Sequence, residues 1–202
     1  MTGTPDHRYP VGTVRALLDS EHVTAPTRGA LQLRLAGLAA GHPDVLGGRS
    51  DLLAAVCARL IPQVGGAPVD LAGTIHARLA TGIGDGWRYA DLPPGDAAWQ
   101  RGLDGIDETT RAMFGGYFID LTASDQDAVL RAVQAGMPAG AIWRMLPAAR
   151  FFETLLAVVV ETYYAHPLAQ EEIGYVGMAD TPGWQAIGLG EREAREPVEI
   201  DT

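Results

Sequence analysis

Apolar positions along this chain recur at spacings of three and four rather than alternating, so the pattern predicts helices separated by Gly and Pro. Leu31, Leu35 and Leu38 mark one face of a helix over about Pro26 to Ala40, stopped by Gly41 and Pro43. Ser50 is the expected N-cap of the next, where Asp51 favours the positive end of the dipole and Leu53, Val56 and Leu60 share a face before Pro62. A third helix is expected from Val69 to Ala80, on the repeat Leu71, Ile75, Leu79. The stretch Thr81 to Asp96, TGIGDGWRYADLPPGD, reads as a loop. Trp99, Leu103, Ile106, Thr110 and Met113 then describe a helix with Gly102 and Gly105 inside it. Each interior glycine costs about 1 kcal/mol against alanine, so close approach by a neighbouring helix is the expected reason for keeping them.

Thr122 with Asp125 forms a capping box for a helix carrying Val129, Leu130 and Val133, which Gly136 and Pro138 stop. A short helical stretch is expected from Ala139 to Leu146, and Pro147 suits the first position of a last helix running to about Ala165. Phe151, Phe152, Leu155, Val159, Thr162 and Tyr163 make that helix apolar almost all round, which predicts a place in the centre of a bundle. The fold class is therefore all-α, an irregular helical bundle with a long Gly/Pro-rich C-terminal extension. Three regions follow: an N-terminal helical extension over 1–49, a helical domain over 50–190 and an acidic tail over 191–202.

The extension HPLAQEEIGYVGMADTPGWQAIG, His166 to Gly188, holds four glycines and two prolines and is not expected to be a regular helix. It also carries Tyr175 and Trp184, whose rings must be covered either by this chain or by another one.

At 202 residues, a chain of this size removes roughly 70% of its unfolded surface from water, so burial alone can hold it together. Its formal charge is −10, and every one of its 15 basic residues is arginine, which favours fixed ion pairs with carboxylates. From Glu161 to Thr202 nine acids face Arg192 and Arg195. That balance disfavours nucleic acid and anionic lipid and tolerates a basic protein partner. The apolar run Leu155 to Val160 is too short to span a bilayer, so no direct membrane insertion is expected. The first residues, MTGTPDHRYPVGTV, show no recognisable export signal. The expected location is the cytoplasm, or export in company with a signal-bearing partner.

The search for a reaction centre is mostly negative. Ser20, Ser50 and Ser124 stand in no G-x-S-x-G elbow. His7, His22, His42, His76 and His166 form no metal-binding spacing. His76 is expected to be solvated, and His166 to meet helix-end carbonyls rather than a metal. GIGDG, Gly82 to Gly86, follows a helix instead of a strand and lacks the G-x-G-x-x-G spacing, so no phosphate cradle is assigned. Glu171 and Glu172 read as solvated carboxylates, and Cys57, the single cysteine, as a buried inert thiol. No catalytic, cofactor-binding or metal-binding residue is assigned.

Several segments, taken in order, resemble the gluconate 2-dehydrogenase subunit 3 family, the small or gamma subunit of FAD-dependent sugar and polyol dehydrogenases. They are LIP at Leu60 to Pro62, GGAP at Gly65 to Pro68, RGLDGID at Arg101 to Asp107, MFGGYFIDLTASDQDAVL at Met113 to Leu130 and ETYYAHPLAQEEIGYVGMADTPGW at Glu161 to Trp184. The resemblance spans about Ser50 to Gly190. It implies an all-helical, non-catalytic subunit that binds a flavoprotein of the glucose-methanol-choline type and supports its maturation, solubility or export. FAD is then held by the partner, none by this chain, and electrons leave through a haem subunit or another acceptor. Many relatives carry a twin-arginine signal, which these first residues lack, and the inter-subunit disulfide of some relatives is not transferred to Cys57. On this reading the ribbon forms the partner interface through His166, Pro167, Ile173, Gly174, Tyr175, Gly177, Trp184 and Ile187, its glycines allowing close approach and its aromatics acting as anchors. A free-standing helical enzyme acting on a small molecule in a biosynthetic pathway is the competing reading, and a chaperone-like protein without a stable complex is a third.

Overall fold

Helix boundaries fall where the caps and turn formers stand. The computed structural model describes residues 8–37, 41–63, 69–82, 89–178 and 183–200, all helix, turn and irregular chain with no strand among them. Two compact units emerge: one is built from 1–38, 64–69 and 163–202, the other from 39–63 and 70–162.

The second unit holds most of the helices: α3 (Ser50–Leu60), α4 (Leu71–Ala80), α5 (Gly95–Phe114), α6 (Ala123–Gln134) and most of α7 (Ala148–Tyr164). Short 3-10 turns at Phe118–Asp120 and Ile142–Arg144 link them. Ser50 is not the cap of α3. It already lies inside the helix, and Arg49 stands at the cap position with no side-chain cap hydrogen bond, its guanidinium donating to both carboxylate oxygens of Asp104 at 2.6 and 2.8 Å. Thr122 does cap α6, accepting from the Asp125 N–H at 3.3 Å while its hydroxyl donates to the Asp125 carboxylate at 2.7 Å. The α4 cap is Asp70, which accepts from Gly73 N–H at 2.8 Å. Helix α5 starts at Gly95, within the stretch expected to be loop, and only 3-10 geometry appears in the expected helical stretch before Pro147. Pro147 itself precedes α7, its carbonyl accepting from Phe151 N–H at 2.9 Å.

Leu53 and Val56 of α3, Ile75 of α4, Leu103 and Ile106 of α5, Val129 and Val133 of α6 and Phe151, Leu155 and Val159 of α7 are at most 1% exposed. A fully buried side chain of this kind stabilises by about 1.5–3 kcal/mol and an exposed ion pair by about 0–1. Packing therefore dominates over pairs such as Arg59–Asp127, which stay partly open to water. The two interior glycines of α5 have a packing reason, though the approaching groups are aromatic side chains. A Cβ on Gly102 would stand 2.1 Å from the Phe151 ring, and one on Gly105 would stand 2.5 Å from the Trp143 ring. Phe151 cannot simply step aside, because Trp99 meets it edge-on and Trp143 lies against it at 6.1 Å between centroids. Helix α7 is less uniformly apolar than its sequence implies: Glu153, Ala157, Glu161 and Tyr164, spaced four, four and three, form an exposed stripe.

The first unit contains α1 (Thr13–Leu18), a helix not anticipated from the sequence, then α2 (Ala25–Ala36), the last two residues of α7, and α8 (Pro167–Glu172). Helix α2 ends at Gly37, and residues 38–40 of the longer helix expected there lie outside the described residues. Val14, Leu18, Val23, Leu31 and Met178 make a small core, with Leu17 and Leu35 packed against it. The existence of α8 corrects the expectation that the stretch after His166 holds no regular helix: Pro167 stands at its first position, where a missing N–H costs nothing.

Glu171 overturns a second expectation. It is 5% exposed rather than solvated. Its Oε1 accepts from Arg15 N–H and Nε at 3.0 Å each, and its Oε2 accepts from Arg15 Nη2 at 3.0 Å and Gly12 N–H at 2.9 Å. Burial pushes this carboxyl up, but the guanidinium and the two backbone donors outweigh it and hold it below the ordinary glutamate value.

Gly102→Ala is expected to destabilise by about 1–3 kcal/mol in urea titration, whereas Gly29→Ala in α2, where an added methyl meets nothing within 4 Å, is expected to be neutral or to stabilise by up to about 1 kcal/mol. A depressed folded-state carboxyl contributes stability above its unfolded pKa and loses it as pH falls through the folded value. Glu171→Gln should therefore be less stable than the parent at neutral pH, with the gap closing as pH drops below the ordinary glutamate range; urea midpoints across that range check it.

Candidate functional site

The ribbon that follows α8 is shaped by a turn at Gly174. Ile173 ends the helix, Gly174 adopts φ 66, and the N–H groups of Gly174 and Tyr175 return to the carbonyls of Glu171 and Gln170 at 3.2 and 2.8 Å. The Tyr9 ring covers this glycine so closely that a Cβ would meet it at 2.8 Å. On either side of the turn the side chains divide: Val176 and Met178 are buried, while Ile173 and Tyr175 each remain 46% exposed.

Gly177 stands beside both aromatic rings. A Cβ there would lie 3.0 Å from the Tyr175 hydroxyl and 3.1 Å from the Trp184 ring, so the missing side chain lets two rings crowd over one backbone position. Trp184 is 46% exposed, and Ile187 and Leu189 beyond it are almost fully open. The Arg195 guanidinium sits 4.8 Å from the centre of the Trp184 ring while its Nη2 donates to Gly183 C=O at 2.9 Å. Glu193 accepts from the N–H groups of Gln185 and Ala186, and Glu191 from Gly188 N–H at 2.9 Å. Those backbone donors, with that of Ala186 contributing most, hold the Glu193 carboxyl below its ordinary value.

Of the eight residues expected to form an interface, Tyr175, Gly177 and Trp184 meet in one place. Ile173 and Ile187 are exposed on the same ribbon, and Gly174 is occupied by Tyr9. His166 and Pro167 serve the chain itself. His166 caps α8, its Nδ1 accepting from Leu168 N–H at 3.3 Å and its Nε2 lying 3.0 Å from the carbonyl of Arg34 at the end of α2. That agrees with a histidine meeting helix-end carbonyls. Burial lowers its pKa, which suits a neutral ring with one nitrogen donating and the other accepting. Pro167 is buried. Arg195, Glu191 and Glu193 were not singled out from the sequence, since a run of acids reads as solvated surface until the chain is seen to fold its carboxylates onto its own N–H groups.

Other candidates resolve into structural roles. Cys57 is 3% exposed, and burial pushes its thiol up to about 12. His76 is not solvated: its Nε2 lies 3.2 Å from Val45 N–H and 3.1 Å from Pro43 C=O, within the turn that precedes α3. Glu172 accepts from the Tyr163 hydroxyl, whose pKa is raised by burial and by that carboxylate. Within GIGDG and GGAP, residues 83–86 and 65–68 lie outside the described residues, as does His7. Among the described residues no group of three His, Cys, Asp or Glu is placed to hold a metal ion, and no helix is long and apolar enough to cross a membrane.

The model of one protein family, described as gluconate 2-dehydrogenase subunit 3, matches residues 49–188, more than two thirds of the chain. No curated protein and no solved structure matches it. The matched region starts at the N-cap of α3 and closes at the end of the aromatic ribbon. With helices and ribbon both inside that match, the chain belongs to the gluconate 2-dehydrogenase subunit 3 family.

Proposed function

We propose that this chain is a non-catalytic accessory subunit that binds a FAD-dependent dehydrogenase of the glucose-methanol-choline type and supports its maturation or stability. The partner oxidises a CH–OH group of a sugar, polyol or glycoside. It holds the FAD, and its electrons leave through a haem subunit or another acceptor. The family name itself is that of a subunit, which supports a dehydrogenase complex as the setting.

The observation that carries the reading is the pair of rings at Gly177. Tyr175 and Trp184 keep nearly half their surface open, with Ile173 and Ile187 exposed on the same ribbon. Half-open aromatics held in place by their own chain suit interface anchors, because little conformational freedom is lost when a partner covers them. The intramolecular hydrogen bonds of Glu191 and Glu193 give the ribbon a preferred shape before any partner arrives. The acidic balance after Glu161 suits a partner whose facing surface is basic.

The test is co-expression with the product of the adjacent gene, asking first whether that product is a flavoprotein. The expected result is a dehydrogenase that is soluble and active only in this chain's company, and co-purifies with it. Trp184→Ala is expected to weaken the complex by about tenfold or more, while Tm moves by about 4 °C or less. A large fall in Tm with binding retained would assign the ring to this chain's own packing instead. Turnover of a sugar by the purified chain without any flavoprotein would overturn the accessory reading.

A further inference from the structure

We propose that His166 is a pH-sensitive latch between the end of α2 and the start of α8: the neutral ring holds the two together, and protonation releases the start of α8 and loosens the Gly174 turn from which the aromatic ribbon leaves. The latch is a property of this chain alone; only its effect on a bound dehydrogenase rests on the accessory-subunit reading.

The hydrogen bonds leave the ring one protonation state. Its Nε2 lies 3.0 Å from the Arg34 carbonyl, which can only accept, so that nitrogen carries the proton. Its Nδ1 lies 3.3 Å from the N–H of Leu168, which can only donate, so that nitrogen is bare. Arg34 answers with Nη1 donating to Ala165 C=O at 2.8 Å, and two bonds therefore cross between the last turn of α2 and the residues on which α8 begins. A second proton on the ring would set an Nδ1–H against the Leu168 N–H and remove the cap. It would also put a positive charge beside the Arg34 guanidinium and the N–H groups of a helix start.

Charges on the neighbouring elements do not offset this. Arg28 of α2 is committed to the carbonyls of Ser20 and Val23 at 3.1 and 3.0 Å, and Arg15 of α1 is paired with Glu171. At the end of α7 the Tyr163 hydroxyl donates to Glu172, and Tyr164 stacks edge-on against Tyr163. Both carboxylates of α8 are thus engaged elsewhere, and the charge that acts on the ring is that of Arg34. Burial lowers the pKa of His166 most; the hydrogen bond to Arg34 C=O works against that, and the Arg34 guanidinium lowers it further. A histidine with a lowered folded-state pKa takes up its proton more readily in the unfolded chain. The latch is therefore closed above the ordinary histidine value, and its contribution is lost as pH falls below that value towards the folded one.

How far the release travels follows from the size of α8. Six residues carry little helical stability of their own. Gln170 N–H bonds to His166 C=O at 3.1 Å, and Gln170 C=O in turn accepts from Tyr175 N–H at 2.8 Å, so a loosened start reaches the turn through Gln170. The Glu171 junction holds the other end of the helix, which keeps the opening local.

The test is imidazole nitrogen NMR and amide hydrogen exchange on the full chain between about pH 7.5 and about pH 5. The expected result is the Nε2–H tautomer at the higher pH and a His166 midpoint below the ordinary histidine value. After correction for intrinsic exchange, protection of the Leu168, Gln170 and Tyr175 amides should fall by at least about tenfold at the lower pH, while Leu103 and Ile106 in α5 keep theirs. His166→Asn, which can cap a helix but cannot titrate, is expected to remove this pH response. If that variant folds poorly, Arg34→Met decides: with the guanidinium gone and the carbonyl kept, the His166 midpoint should move up. An Nδ1–H tautomer, a midpoint at or above the ordinary value, or a pH response that survives in His166→Asn overturns the latch. Where the product of the adjacent gene is a flavoprotein, its affinity should fall at the lower pH for the parent and not for His166→Asn, and pH-independent binding by the parent overturns the latch's control of the ribbon. A parent chain that binds no flavoprotein overturns the accessory reading and leaves the latch standing on the exchange data.

Discussion

A carboxylate taken out of water stays ionised only where donors replace the solvent, and Glu171 finds four of them: three on Arg15 and one on Gly12. This junction joins α1 to the last short helix across more than 150 residues of sequence. The direction in which the ribbon leaves α8 depends on it, since the Gly174 turn begins three residues later and the Tyr9 ring that closes over it precedes Gly12 by three. Removing either partner would strand a buried charge or orphan backbone donors, so the junction behaves as a constraint more than as an increment of stability.

Both regions with open apolar side chains share one construction. In each, a buried residue holds the backbone while its neighbours face outward: Val176 and Met178 beneath Tyr175, and Phe118 beneath Tyr117 and Ile119. Glycines serve two different ends in this scheme. At Gly102 and Gly105 the missing Cβ makes room for Phe151 and Trp143, within the core. At Gly177 it makes room for rings that remain at the surface. The first use contributes to folding. The second contributes to a surface whose shape exists before anything binds to it.

The family match ends at 188 and starts at 49, yet the unit that carries the ribbon draws α1 and α2 from residues outside that span. Arg15, Val14, Leu18 and Leu31 lie beyond the matched region, and Glu171 and Met178, which they meet, lie within it. The N-terminal helices here supply the cover for one side of the C-terminal segment. That cover leaves Tyr175 and Trp184 half open.

What the sequence determined by itself was the local part of the structure. Periodic apolar faces placed α3, α4, α5, α6 and α7 to within a few residues, because three- and four-residue spacing, a Thr122 capping box and glycine stops act over single turns. Ordered motifs identified the family, and the aromatic ribbon was visible as rings set among glycines. Tertiary structure alone decided the rest. Whether Glu171 was solvated depended on Arg15, far away along the chain. Whether His166 and Pro167 faced outward depended on α2, and whether α7 was buried all round depended on which neighbours it met. Short helices such as α1 and α8 escape pattern reading for the same reason: six residues hold too few apolar repeats to register, and it is their packing partners, not their propensity, that keep them folded.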